Sequence, residues 1–138
     1  MPIRRATVFL LVLFSTVSNS CNDKSTGPTD TTRPSAITNL AIDVIAGGKI
    51  LYSWTATGDD SKKGTATYYD LRSAADTATL KNWGGARQQQ GEPAPAAFGT
   101  QESMNLPDTF SVSTYFAIKV SDEAENTSSM SNIVSRLR

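Results

Sequence analysis

Apolar and polar side chains alternate one by one along much of residues 37–137, and that period of two restricts the fold more than any other feature. From Lys49 to Thr55, Ile50, Tyr52 and Trp54 fall on one face, opposite Lys49, Leu51 and Ser53. From Thr114 to Ser121, Phe116, Ile118 and Val120 oppose Tyr115, Ala117 and Lys119. The same reading gives strands over Ile37 to Ile45, Thr67 to Arg72, Glu102 to Leu106 and Asn132 to Leu137. Gly47-Gly48 and the polar run Gly58 to Gly64 mark turns. Successive side chains of a strand point to opposite sheet faces, so this pattern calls for antiparallel strands with one face buried. The one helical candidate is Asp76 to Trp83, with Asp76 as cap and Gly84-Gly85 as stop. Gly91 to Gly99 reads as an extended edge connection whose prolines discourage edge-to-edge pairing. Strands this closely spaced over about a hundred residues, with an inward Trp54 on the second, predict an all-β, seven-stranded antiparallel two-sheet sandwich.

The first residues have a different logic. Arg4 and Arg5 precede an apolar run, Ala6 to Phe14, and small residues follow, ending in Ser18-Asn19-Ser20-Cys21. A charged start, an apolar middle and a small-residue exit describe an export signal. The run is too short to span a bilayer, which takes roughly 20 apolar residues. Cys21 is the only cysteine, so no disulfide can form within the chain. It stands where a bacterial lipoprotein signal is cut, with Ser20 as the small residue before the cut. Ser18 stands where such signals usually carry an aliphatic residue. The alternative is a plain secretory signal with a chance cysteine. The expected organisation is a signal over residues 1–20, a lipid-anchored flexible tether over 21–35 and one sandwich domain over 36–138. Asn22 to Ser35 is rich in Ser, Thr, Pro, Gly and Asp, with nothing apolar to repay ordering.

Composition narrows the chemistry. The chain contains no histidine, which removes the commonest general base and transition-metal ligand. With Cys21 committed to lipid, zinc and iron sites and a Ser-His-Asp arrangement are not expected, and no cofactor is called for. Basic and acidic residues number 13 each; without Arg4 and Arg5 the balance is 11 to 13, or −2. No basic stripe points to nucleic acid.

Several stretches together resemble a bacterial fibronectin type III domain. They are Pro34 to Leu40, Trp54-Thr55-Ala56, Tyr69-Asp70-Leu71-Arg72, Gly91-Glu92-Pro93-Ala94-Pro95 and Tyr115 to Ala124. The resemblance spans about residues 34–138. It implies strands A, B and E in one sheet and C, C′, F and G in the other, and a binding or spacer role without catalytic residues. The chain departs from that family at Thr114, where a corner tyrosine is usual, and at Glu125, where glycine is usual. It also lacks Arg-Gly-Asp.

Candidate functional residues fall into two groups. In this fold Asp59 and Asp60 would share a pole with Asp122, Glu123 and Glu125, and clustered carboxylates can hold Ca²⁺. Turn residues solvated at a loop explain them equally well, no Asp-x-Asp-x-Asp-Gly loop is present, and Lys62 and Lys63 lie nearby. Strand A begins at that pole, so a tether from Cys21 would enter beside it. The second group is aromatic. Trp54, Tyr69 and Phe116 belong to the core. Trp83, Tyr68, Phe98 and Tyr115 are candidates for exposure, with Tyr68 and Tyr115 as an outward pair on neighbouring strands and Trp83 as a lid over the open end of the sandwich.

The expected function is a lipid-anchored cell-envelope module, outer-membrane or surface-exposed, that binds a protein partner or acts as a spacer. A carbohydrate-binding or adhesion module is the alternative. An enzyme is not expected; a glycosidase needs only two carboxylates, but it needs them in a cleft.

Overall fold

The computed structural model describes residues 29–138. Its strands are β1 (Ala41–Ile45), β2 (Lys49–Thr55), β3 (Tyr68–Ala74), β4 (Arg87–Gln88), β5 (Gln101–Pro107), β6 (Thr114–Ser121) and β7 (Val134–Arg136). A short helix, α1 (Thr77–Lys81), lies between β3 and β4. The strands form two antiparallel sheets, ordered β1-β2-β5 and β4-β3-β6-β7. That is an immunoglobulin-like sandwich, and its strand order is the one expected for A-B-E against C′-C-F-G.

The alternating pattern puts its apolar residues between the sheets. Ile50, Tyr52 and Trp54 of β2 and Met104 of β5 face Tyr69 and Leu71 of β3 and Phe116, Ile118 and Val120 of β6, all buried. The aromatics interlock across the layers edge to face. Tyr52 meets Phe116 with ring centroids 5.2 Å apart, and Trp54 meets Tyr69 at 5.1 Å. T-shaped contacts of this kind add to the burial itself. The Tyr69 hydroxyl donates to Glu102 on β5, tying the sheets together where the β3 chain begins.

There are three local departures from the expected organisation, and in the first two side chains take over backbone pairing. Regular pairing of the first strand starts at Ala41 rather than Ile37, although Ile37 and Leu40 are buried as expected. The Leu40 N–H donates to Asn132 Oδ1, and Asn132 Nδ2 donates to the Leu40 carbonyl, both at 2.9 Å. Asn39 does the same for Thr55, accepting from its N–H and donating to its hydroxyl. The last strand is also shorter than Asn132 to Leu137. Ahead of β7, the N–H groups of Val120 and Ile118 donate to the hydroxyls of Ser128 and Ser131, both at 3.0 Å. The Ser128 and Ser131 N–H groups donate back to the Val120 and Ile118 carbonyls. Serine oxygens thus stand in for main-chain carbonyls along this stretch.

The third departure is at the amino-terminal side. Residues 30–35, expected to belong to the tether, pack onto the domain. Pro34 is buried and bridges to Ser61 in parallel sense. The Ser61 N–H donates to the Arg33 carbonyl, and the Ser35 N–H donates to the Ser61 carbonyl. Asn126 Nδ2 donates to the Asp30 carbonyl. The folded unit therefore begins before Ala36.

The helix is shorter than Asp76 to Trp83. Asp76 caps it as expected, accepting from the Thr79 N–H at 2.7 Å and from the Thr79 hydroxyl at 2.8 Å. These bonds hold the Asp76 carboxyl below its usual pKa. The helix ends at Lys81, and Gly84-Gly85 continue into a separate 3₁₀ turn, Trp83–Gly85, rather than stopping a longer helix.

Candidate functional site

Two regions matter: the upper pole, where the β2–β3 and β6–β7 connections meet, and the outer face of the four-stranded sheet. Cys21 lies outside the described residues.

At the upper pole the β2–β3 loop folds back tightly. Gly58 passes so close to Lys63 that a Cβ would sit 2.0 Å from the Lys63 carbonyl oxygen, so only glycine fits. Asp60 exposes its side chain, and its carbonyl accepts from the Lys63 N–H. The structure does bring the two acidic loops together. The Asp59 carboxyl is pushed above its ordinary pKa, first by burial, then by the charge of Glu123 and a hydrogen bond with it, then by Asp122 and Asp60.

Proximity does not make these residues a metal site. Asp122 is 1% exposed, and both its oxygens are occupied: Oδ1 accepts from the Asn126 N–H at 2.7 Å and Oδ2 from Asn126 Nδ2 at 2.9 Å. Glu123 and Glu125 are exposed, and Glu125 holds φ +65° at the loop apex. Among the described residues no group of three or more acidic, histidine or cysteine side chains is arranged to hold a metal ion. Asp122 closes its loop from inside the domain. The missing signal in the sequence was Asn126, whose amide fixes both Asp122 and the incoming chain at Asp30.

The outer sheet face corrects the aromatic expectations. Tyr68 and Tyr115 both point outward, but they are not a pair. Tyr68 lies opposite Ser121 and Tyr115 opposite Ala74, at opposite ends of the β3–β6 ladder. Tyr115 is half-buried in a second small core with Ala74, Leu80, Ala86 and Ala117, because α1 folds over that end of the sheet. Tyr68 is 46% exposed. Trp83 belongs to the same small core and covers the sheet's outer face, not the open end of the sandwich. Its indole Nε1 donates to Asp70 Oδ2 at 2.9 Å, and its carbonyl accepts from Arg72. Lys119 Nζ sits 4.6 Å and Arg72 Cζ 5.2 Å from the ring centre, cation–π distances that leave little of the ring for a partner. Arg72 and Asp70 also form an ion pair at 3.0 Å.

One feature of the upper pole was not anticipated as a unit. A groove of about 560 Å³ runs between the incoming chain, the end of β2 and Phe98. Ser35, Ala36, Thr38, Asn39, Thr57 and Lys62 contribute to its lining. Phe98 is 48% exposed beside it. Phe98 was visible in the sequence as an unplaced aromatic; the groove was not, because it joins residues far apart along the chain.

No protein-family model matches the chain, and no curated protein matches it. Among solved structures, the chain is similar to the Clostridium perfringens spore cortex lytic enzyme SleM, at 19% identity and a TM-score of 0.51. That match covers 77% of this chain and 29% of SleM, so the chain spans under a third of that enzyme. It is also similar to the PKD domain of an M14-like peptidase from a Thermoplasmatales archaeon, at 13% identity and a TM-score of 0.48, covering 76% of this chain and 94% of that one. At these identities the SleM likeness speaks to the fold alone. The class defined by the two sheets is an all-β, immunoglobulin-like sandwich.

Proposed function

We propose that the chain is a non-catalytic fibronectin type III–like module, held at the bacterial envelope by lipid on Cys21, that offers its surface to a protein partner. The observation that carries this reading is the docking of residues 30–35 at the upper pole. Pro34 is buried against the domain, and Arg33 and Ser35 bond to Ser61 on either side of it. A tether from Cys21 therefore meets a fixed point on the sandwich rather than a loose end. That arrangement turns an anchor into an orientation, with the upper pole toward the membrane and the opposite pole outward. The sheet order, which coincides with that of fibronectin type III domains, supports the family part of the reading.

Nothing in the proposal requires chemistry. The Asp59–Glu123 contact sits at a loop surface, and Asp122 is locked by Asn126. The test of the anchor is fractionation in a Gram-negative host. Wild type should enter the detergent phase and Cys21→Ala should remain soluble; a soluble wild type would overturn the lipid anchor. Stable attachment needs more than one acyl chain, because a single chain binds only marginally. The carbohydrate alternative is favoured by one specific observation, the groove beside Phe98.

A further inference from the structure

We propose that the groove at the upper pole is a saccharide subsite in which one pyranose ring lies against Phe98. Its volume, about 560 Å³, falls within the roughly 300–1,000 Å³ usual for small-molecule sites. The character of its wall selects the ligand. A sugar ring has an apolar C–H face and a rim of hydroxyls that both donate and accept. The groove offers the complement: an exposed aromatic ring, small apolar Ala36 and Ala56, and the hydroxyls and carboxamide of Ser35, Thr38, Asn39 and Thr55.

Two of those polar groups are held in place before any ligand arrives. The Asn39 carboxamide bonds both the N–H and the hydroxyl of Thr55, and the Thr55 hydroxyl reaches on to Gln101. Side chains fixed in this way need little further ordering when they bind. The Thr57 hydroxyl is different. It belongs to a wall residue only 8% exposed and has no hydrogen-bond partner among the described residues. Its oxygen is enclosed by the protein, so Thr57 shapes the wall and does not face a ligand.

The charges agree with this reading. Lys62 is the charged residue of the lining and forms no ion pair among the described residues. It suits a hydroxyl or a sugar carboxylate. An extended peptide fits less well. At Ala56 the backbone is already spent, its N–H on the Thr100 carbonyl and its carbonyl on the Gly99 N–H, so a strand cannot pair with the end of β2 there.

The proposal does not depend on the lipid anchor, and its failure would leave the fractionation result untouched. The test is a titration of the ¹⁵N-labelled 138-residue chain, followed by amide shifts, with two probes. One is the neutral trisaccharide of β-1,4-linked N-acetylglucosamine; the other is trigalacturonate. The expected result is saturable shifts confined to residues 35–39, 55–62 and 98–100 with at least one probe. Preference for trigalacturonate, abolished in Lys62→Gln, would assign an acidic sugar; preference for the neutral probe would assign a neutral one. Phe98→Ala should weaken binding by about tenfold or more while the melting temperature holds, since the side chain is half-exposed. Absence of shifts with either probe to about 10 mM, weaker than any useful affinity, would overturn the proposal. So would shifts that Phe98→Ala leaves unchanged.

Discussion

The side chain of Asn132 binds both backbone groups of Leu40, accepting from its N–H and donating to its carbonyl, each at 2.9 Å. One carboxamide thereby performs the pairing that a neighbouring strand would supply, and it does so between the two sheets. Asn132→Ala should unpair Leu40 and cost about 1–2 kcal/mol in urea unfolding, while Asn132→Gln, one methylene longer, should not restore it. An unchanged midpoint in Asn132→Ala would show that water replaces the bridge without loss.

Trp54 is buried between the sheets and edge-on to Tyr69. Trp54→Ala should cost about 3–5 kcal/mol, comparable with the whole stability of a small domain. The check is thermal or urea unfolding. A mutant that melts with wild type would mean that the inner face has been assigned to the wrong set of side chains.

Glu125 occupies φ +65°, in the left-handed region that glycine tolerates at no steric cost. Glu125→Gly should therefore stabilise the domain by about 0.5–1 kcal/mol, a rare gain from deleting a side chain. Gly58→Ala should act in the opposite direction, because its Cβ would collide with the Lys63 backbone. Differential scanning calorimetry of both variants reads the two signs directly.

The raised pKa of Asp59 carries a definite pH dependence. Its folded-state value lies above its unfolded value, so the folded protein binds more protons within that window. Stability then falls as pH rises through the folded pKa, and the penalty is absent below the unfolded pKa. Asp59→Asn should flatten that part of the stability profile and raise the midpoint at neutral pH. Urea midpoints measured at closely spaced acidic pH values would show it; a parallel profile for the variant would remove Asp59 as the source.

Calcium should not bind this pole tightly. Hard-cation sites need six or more oxygens, and both oxygens of Asp122 are engaged by Asn126. Calorimetric titration of the chain with CaCl₂ should show no dissociation constant in the micromolar range or below.

The core was legible in the sequence because burial and alternation are the same fact seen twice. Ile50, Tyr52 and Trp54, and Phe116, Ile118 and Val120, are spaced by two and buried in both sets. The ends of strands were less legible, for a physical reason. Asn39, Asn132, Ser128 and Ser131 do backbone work with their side chains, and propensity reads such residues as loop formers. The docked segment 30–35 was hidden in the same way. Pro34 alone carries its burial, within a stretch whose composition otherwise says tether. The groove drew on residues from three separated stretches, and alternation says nothing about how loops meet.

The small core of Leu80, Trp83 and Tyr115 has one further consequence. Where α1 lies over the four-stranded sheet, the domain is three layers thick; toward Tyr68 it is two. Amide hydrogens of β3 and β6 beneath that third layer are shielded from both sides, and those near Tyr68 and Ser121 from one. Exchange with deuterium should therefore run as a gradient along a single ladder, slowest near Ala74 and Tyr115 and fastest near Tyr68. The end expected to exchange fastest is the one that binds residues 30–35, so the contacts of that segment should be the first to loosen.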